Sequence, residues 1–214
     1  MEKSTNVRVF RVVVALLTTF YFMLPLFDSG ESFVVRPKFL TLWGLYGSFA
    51  VSLLMLGRSF GWVERRFDGF VSMVIVLNIL VVFLYWRLYF EDPALVNASG
   101  AIVWWKEYYL HLGCQILMWI DAFFIFGAWR KIWSGLIWLV GIIIGYSTLI
   151  EVWVQPRNTF PSGTVTDGLP YPFLNDMVFV ERITFYGTTA VTSAVFALVT
   201  IGLALLLGRL NKQS

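Results

Sequence analysis

Six long apolar stretches, separated by mostly short polar connections, set the pattern of the chain. They run over about residues 7–27, 39–57, 68–90, 108–129, 132–154 and 183–208. Each is close to the roughly 20 apolar residues that a helix needs to cross a bilayer at about 1.5 Å per residue. No internal repeat, inverted pair of segments or low-complexity tract interrupts the series, so residues 1–214 read as a single transmembrane domain. The expected fold is therefore all-α, a polytopic integral membrane bundle of six transmembrane helices. Residues 12–27 follow Arg8 and Arg11 in the manner of a signal peptide, but no small-x-small cleavage pattern comes after them. The segment is expected to stay as the first span.

Composition sharpens this picture. Hydrophobic residues make up 58% of the chain and charged ones 14%, well below the roughly one quarter that solvates a soluble domain. The connections 91–107 and 155–182 are the long ones, and the second holds four of the seven prolines. It is expected to form an ordered loop on the membrane surface. Ten of the sixteen Lys and Arg fall on the side of the termini, among them Arg58, Arg65, Arg66, Arg130 and Lys131. By the positive-inside rule both termini should be cytoplasmic, with the 28–38, 91–107 and 155–182 loops outside. Trp43, Trp104, Trp105, Trp129 and Trp133 lie near span ends, where an aromatic belt would put them. A net charge of +3, spread along the chain, gives no reason to expect nucleic acid as a partner.

Ionisable residues inside spans are costly and are functional candidates for that reason. Three stand out: His111, Asp121 and Glu151. Thr41 lies three residues after Lys38, and His111 five after Lys106. Helix rise puts them roughly 5 and 7 Å below the same interface. Glu151, four residues before Gln155, falls at comparable depth. Asp121 lies about 15 Å further along the fourth helix from His111. One stratum thus collects a hydroxyl, an imidazole and a carboxylate, the groups that a supported nucleophile requires. Each also has a plainer reading. Thr41 can bond back to its own helix, His111 can be a packing residue, and Glu151 can pair with Arg87 or Arg182. Asp121 can serve a water pocket or an ion pair in the cytoplasmic half.

Three segments carry a resemblance: PKFLTLW (37–43), VVFLYWRLYFEDP (81–93) followed by YYLHLG (108–113), and GYSTLIEVWV (145–154) leading to YPFLND (171–176). In order and spacing they resemble the androgen-induced and androgen-dependent transmembrane proteins. These are six-span hydrolases of fatty acid esters of hydroxy fatty acids. The resemblance implies an intramembrane threonine and histidine as the catalytic pair, here Thr41 and His111, the one histidine of the chain. The further histidines of the family near the fourth and fifth helices have no counterpart in this sequence.

Together these readings give an expected function, an intramembrane threonine-type lipid esterase. His111 is the general base for Thr41, and a membrane lipid or fatty-acyl ester is the substrate. Glu151 is a candidate support for His111. Tyr108, Thr184, Thr188 and Thr189 are candidate oxyanion donors. One histidine and one cysteine, Cys114, make a poor ligand set, so no metal or cofactor is expected. The rival is a non-enzymatic lipid-binding or transport protein with a polar outer-leaflet pocket. The lack of inverted repeats speaks mildly against a secondary transporter.

Overall fold

A computed structural model describes residues 2–27, 38–96, 103–158 and 169–210. The described residues form six helices long and apolar enough to cross a membrane, and no strand. They are α1 (Thr5–Phe27), α2 (Leu40–Phe60), α3 (Asp68–Glu91), α4 (Trp104–Phe126), α5 (Ile132–Arg157) and α6 (Phe179–Leu210). The chain is a multi-pass integral membrane protein.

Burial divides the helices by role. In α3, 67% of the spanning window is buried inside the bundle, against 17% in α5 and α6. Its sequence explains why: Val71, Val74, Ile75 and Val76 are apolar at successive angles round the helix, so α3 can be enclosed on every side. Helices α2, α4, α5 and α6 pack round it, while α1 lies along α2. Close approach is secured by small residues. A Cβ at Gly69 would come within 2.9 Å of the Ser134 backbone on α5, so only glycine fits there. Helix α2 stops at Gly61, whose φ of 80° suits glycine, and Trp62 N–H closes the end by donating to the Gly57 carbonyl at 2.8 Å.

Polar side chains inside the bundle are paired in layers. Nearest the terminal face, Glu2 bridges Arg58 and Arg66 at 3.1 and 3.2 Å. Deeper, Arg11 donates to both carboxylate oxygens of Asp121 at 2.7 Å, and to Met55 O and Ser59 Oγ. Then come Thr18 with Ser52 at 2.7 Å, and Asn78 donating to Ser48 at 2.9 Å. Arg11, which the sequence tally counts among loop charges, is thus a core residue, 1% exposed.

Two helix starts come four residues earlier than expected, while the ends of the second, fourth and fifth spans differ by three. The fourth span starts at Trp104, not 108, because Glu107 is satisfied within the first turn and does not need water. The sixth starts at Phe179, not 183. There Glu181 accepts from Val178 N–H at the helix start and Arg182 is paired inside the bundle, so neither charge ends the helix. Trp129 departs from the aromatic belt: it is 4% exposed and turned inward over Gly135, whereas Trp104, Trp105 and Trp133 are exposed. The described end of the 155–182 loop carries a one-turn helix, Pro172–Asp176. Leu169 and Leu174 are buried beside it with Ile150 and Tyr186. Residues 28–37, 97–102 and 159–168, parts of the loops expected outside, lie beyond the described residues.

The Arg11–Asp121 pair generates a stability prediction. Arg11→Met or Asp121→Leu alone strands a charge in an apolar layer and should cost about 3–5 kcal/mol. The double substitution should recover most of that loss. Thermal unfolding of the four proteins in one detergent checks it. Additive losses in the double variant would show that the two side chains do not act as a pair.

Candidate functional site

Helix α4 is not uniformly α-helical. Residues Tyr109–Gly113 and Asp121–Phe126 widen into π-helical turns, as do Leu149–Val154 in α5. The three ionisable residues singled out in the spans each occupy one of them: His111, Asp121 and Glu151. A π turn inserts a residue into the helical ladder and re-aims the side chains around it, and such turns recur at functional sites.

His111 lies in the first of these turns, 6% exposed. Its ring stacks on Tyr85 of α3, centroids 3.4 Å apart and planes 5° from parallel. Nε2 is 3.1 Å from Glu107 Oε2, one helical turn earlier. The same carboxylate oxygen accepts the Tyr85 hydroxyl at 3.0 Å. Trp86 Nε1 donates to the His111 carbonyl at 3.0 Å. Imidazole, carboxylate and phenol therefore hold one another, two on α4 and one on α3. His111 Nδ1 is buried without a hydrogen-bond partner, and so is Gln115 Oε1 one turn on. The Tyr109 hydroxyl has the Cys114 sulfur near it, and its ring stacks on Tyr21 of α1.

Helix register gives the level of Thr41. Gly44 on α2 faces Asn78 and Val81 of α3, and Ser48 is bonded to Asn78. The two helices run in opposite directions, so one turn back from Gly44 matches one turn forward from Val81. Thr41 is therefore level with Leu84 and Tyr85, the residue on which His111 stacks. Thr41 is half-buried and makes no side-chain hydrogen bond to a described residue. No hydrogen bond joins it to His111.

The other candidates are placed as follows. Glu151 receives both arms of Arg182, at 2.8 and 2.9 Å, and the Tyr186 hydroxyl at 2.9 Å. This is the arginine pairing among its two readings; the carboxylate on His111 is Glu107 instead. Asp121 belongs to the Arg11 layer. Tyr108 is exposed, with its ring tilted against Trp86. Thr184 and Thr188 are exposed and bond back to their own helix, at Val180 O and Phe185 O. Thr189 faces a narrow apolar crevice between α3, α5 and α6. Leu40 reaches the same crevice from the start of α2, while Thr41 does not line it. Tyr171 closes one end, and burial pushes its phenol up to about 12. Among the described residues no cluster of His, Cys, Asp and Glu could hold a metal ion.

Glu107 and Tyr85 were missed in the sequence. The available signal was the spacing of Glu107 and His111, four apart, which puts both on one helical face. It was lost because Glu107 was counted as a loop acid.

The FAR-17a/AIG1-like protein family matches residues 7–205. No curated individual protein and no solved structure matches the chain.

Proposed function

Since the chain belongs to the FAR-17a/AIG1-like family, we propose that it is an intramembrane lipid esterase with Thr41 as nucleophile and His111 as general base. The observation that carries this reading is His111 itself. The one histidine of the chain is buried in the bundle at the level of Thr41, with one ring nitrogen on a carboxylate and the other unpartnered. A general base needs a lone pair and a fixed ring, and both conditions are met.

In the proposed reaction His111 accepts the Thr41 hydroxyl proton as the oxygen attacks the acyl carbonyl. The tetrahedral intermediate collapses, and the leaving alcohol takes that proton from His111. Water, deprotonated by His111, then attacks the acyl-threonine, the fatty acid leaves, and His111 returns that proton to the Thr41 oxygen. Thr41 and His111 are not bonded in the free protein, so the substrate must draw them together. Catalytic hydrogen bonds often tighten only in such complexes. The apolar crevice reached by Leu40, next in sequence to Thr41, suits an acyl chain. We place both termini in the cytoplasm: with the buried Arg11, Lys38 and Arg182 set aside, the remaining Lys and Arg favour the terminal side nine to four. One observation favours the rival, a lipid-binding protein without catalysis: the crevice and the His111 cluster lie against different faces of α3.

Three measurements test the reading. Purified protein in detergent should hydrolyse members of a lipid ester panel. Thr41→Ala should abolish that activity while leaving the unfolding midpoint nearly unchanged, and Thr41→Ser should keep part of it. Full activity in Thr41→Ala would sink the threonine mechanism. Hydrolysis should fall on the acid side as His111 takes up a proton, because only the neutral ring accepts one from Thr41. A profile flat from about pH 5 to 9, with chemistry limiting, would remove His111 from the mechanism. For topology, cysteines introduced into 92–103 and 158–178, the loops between the helices, should react with an impermeant maleimide from outside. The native Cys114 is 2% exposed and should stay silent. Reaction from the cytoplasmic side alone would reverse the orientation.

A further inference from the structure

We infer that Glu107 is a positioning residue, which fixes the tautomer of His111 so that Nδ1 is the basic atom. This inference rests on the esterase reading for its consequence, but its physical content stands on geometry alone. His111 Nε2 is 3.1 Å from Glu107 Oε2. An ionised carboxylate only accepts, so the nitrogen facing it carries the hydrogen. The Tyr85 hydroxyl donates to the same oxygen at 3.0 Å, which orients the carboxylate towards the ring. Neutral imidazole has one N–H, so Nδ1 is left with a lone pair. That atom is buried and has no partner among the described residues.

The arrangement has the logic of a buried carboxylate behind a histidine base. The acid holds the ring in one tautomer and stabilises the imidazolium that forms when the base is protonated. The ring cannot turn freely either. Tyr85 covers one face at 3.4 Å, and Trp86 pins the backbone by donating to the His111 carbonyl. Glu107 lies on the same side of the π turn as the approach from the interface, with Lys106 next to it in the chain. From α1, Tyr21 stacks on Tyr109 and adds no charge at neutral pH. The negative charge facing His111 is therefore that of Glu107.

A merely structural Glu107 would only tie the first turn of α4 to α3. Glutamine keeps the size and an accepting oxygen, so it would preserve that tie. For tautomer control the two side chains differ, because the glutamine amide can donate to Nε2 and let the hydrogen move to Nδ1.

The experiment uses the full chain in detergent, labelled with 15N-histidine. His111 is the one histidine, so the two ring nitrogens are read without assignment. At neutral pH the wild-type protein should show a protonated Nε2 and a bare Nδ1. Glu107→Gln should populate the other tautomer and lower kcat for a lipid ester about a hundredfold, with KM changed less than about threefold. Tyr85→Phe keeps the stacked ring and removes one bond to the carboxylate. It should fold, retain the wild-type tautomer in majority, and lose roughly tenfold in kcat. A wild-type spectrum with the hydrogen on Nδ1 overturns the inference whether or not Glu107→Gln folds. So does a Glu107→Gln protein that keeps both tautomer and kcat. An active Thr41→Ala protein with the wild-type tautomer intact would instead break the esterase mechanism and leave the role of Glu107 in ordering His111 standing.

Discussion

Hydrocarbon offers no hydrogen-bond partner, so a polar side chain inside this bundle must be met by another or stay unsatisfied at a cost. The Arg11–Asp121 pair shows how strictly the chain obeys. Arg11 is 1% exposed, yet its guanidinium reaches both carboxylate oxygens, a backbone carbonyl of α2 and the Ser59 hydroxyl. One side chain thereby ties α1 to α2 and α4. Above it, Thr18 with Ser52 and Ser48 with Asn78 carry the same pairing up towards the other face, adding α3. Glu107, His111 and Tyr85 form the last layer before the loops. The polar seam is what sets the register of four helices whose apolar surfaces would otherwise slide.

Helices α5 and α6 are joined differently. Their main polar link is Glu151 with Arg182 and Tyr186, near the loop face, and most of their surface is turned outward. Between that link and α3 the side chains leave the apolar crevice. A seam that is polar and tight lies on one side of α3, and a joint that is apolar and loose on the other. The first side holds His111 still between Glu107 and Tyr85. The second has the surface an acyl chain prefers.

Much of this was legible in the sequence and some was not, for physical reasons. The spans could be read because length and hydropathy decide membrane crossing with little help from tertiary contacts. His111 and Thr41 could be put at one level because helix rise is constant. The π turns could not be read, since the extra residue is accommodated by tertiary packing and has no local composition. Glu107 was hidden by its charge, which suggests a loop until Tyr85 and His111 are seen to satisfy it. Arg11 was hidden in the same way, and its partner Asp121 lies 110 residues away. Trp129 looked like a belt residue because its inward turn depends on a φ of 66° and on a bond from its N–H to Ser72 Oγ, at 3.0 Å.

The exceptions to pairing are the more informative for being few. Among the described residues five buried side-chain polar atoms lack a partner, and two of these, Trp119 Nε1 and Trp129 Nε1, are indole donors. The other three are Tyr109 OH, His111 Nδ1 and Gln115 Oε1, all within seven residues of α4, two in the first π turn and the third two residues past it. A hydroxyl, a basic nitrogen and an amide oxygen left open together amount to several kcal/mol of unmet hydrogen bonding, at about 1–3 kcal/mol each. The same bundle pairs Arg11, Asp121, Asn78 and Arg182 fully, so these three open atoms stand out against it. Groups that must take up a proton, or meet a substrate, cannot be bonded to the scaffold beforehand. Under the proposed esterase reading, an unpartnered Nδ1 is what a base that must take up a proton requires, and His111 sits in a π turn that re-aims its ring.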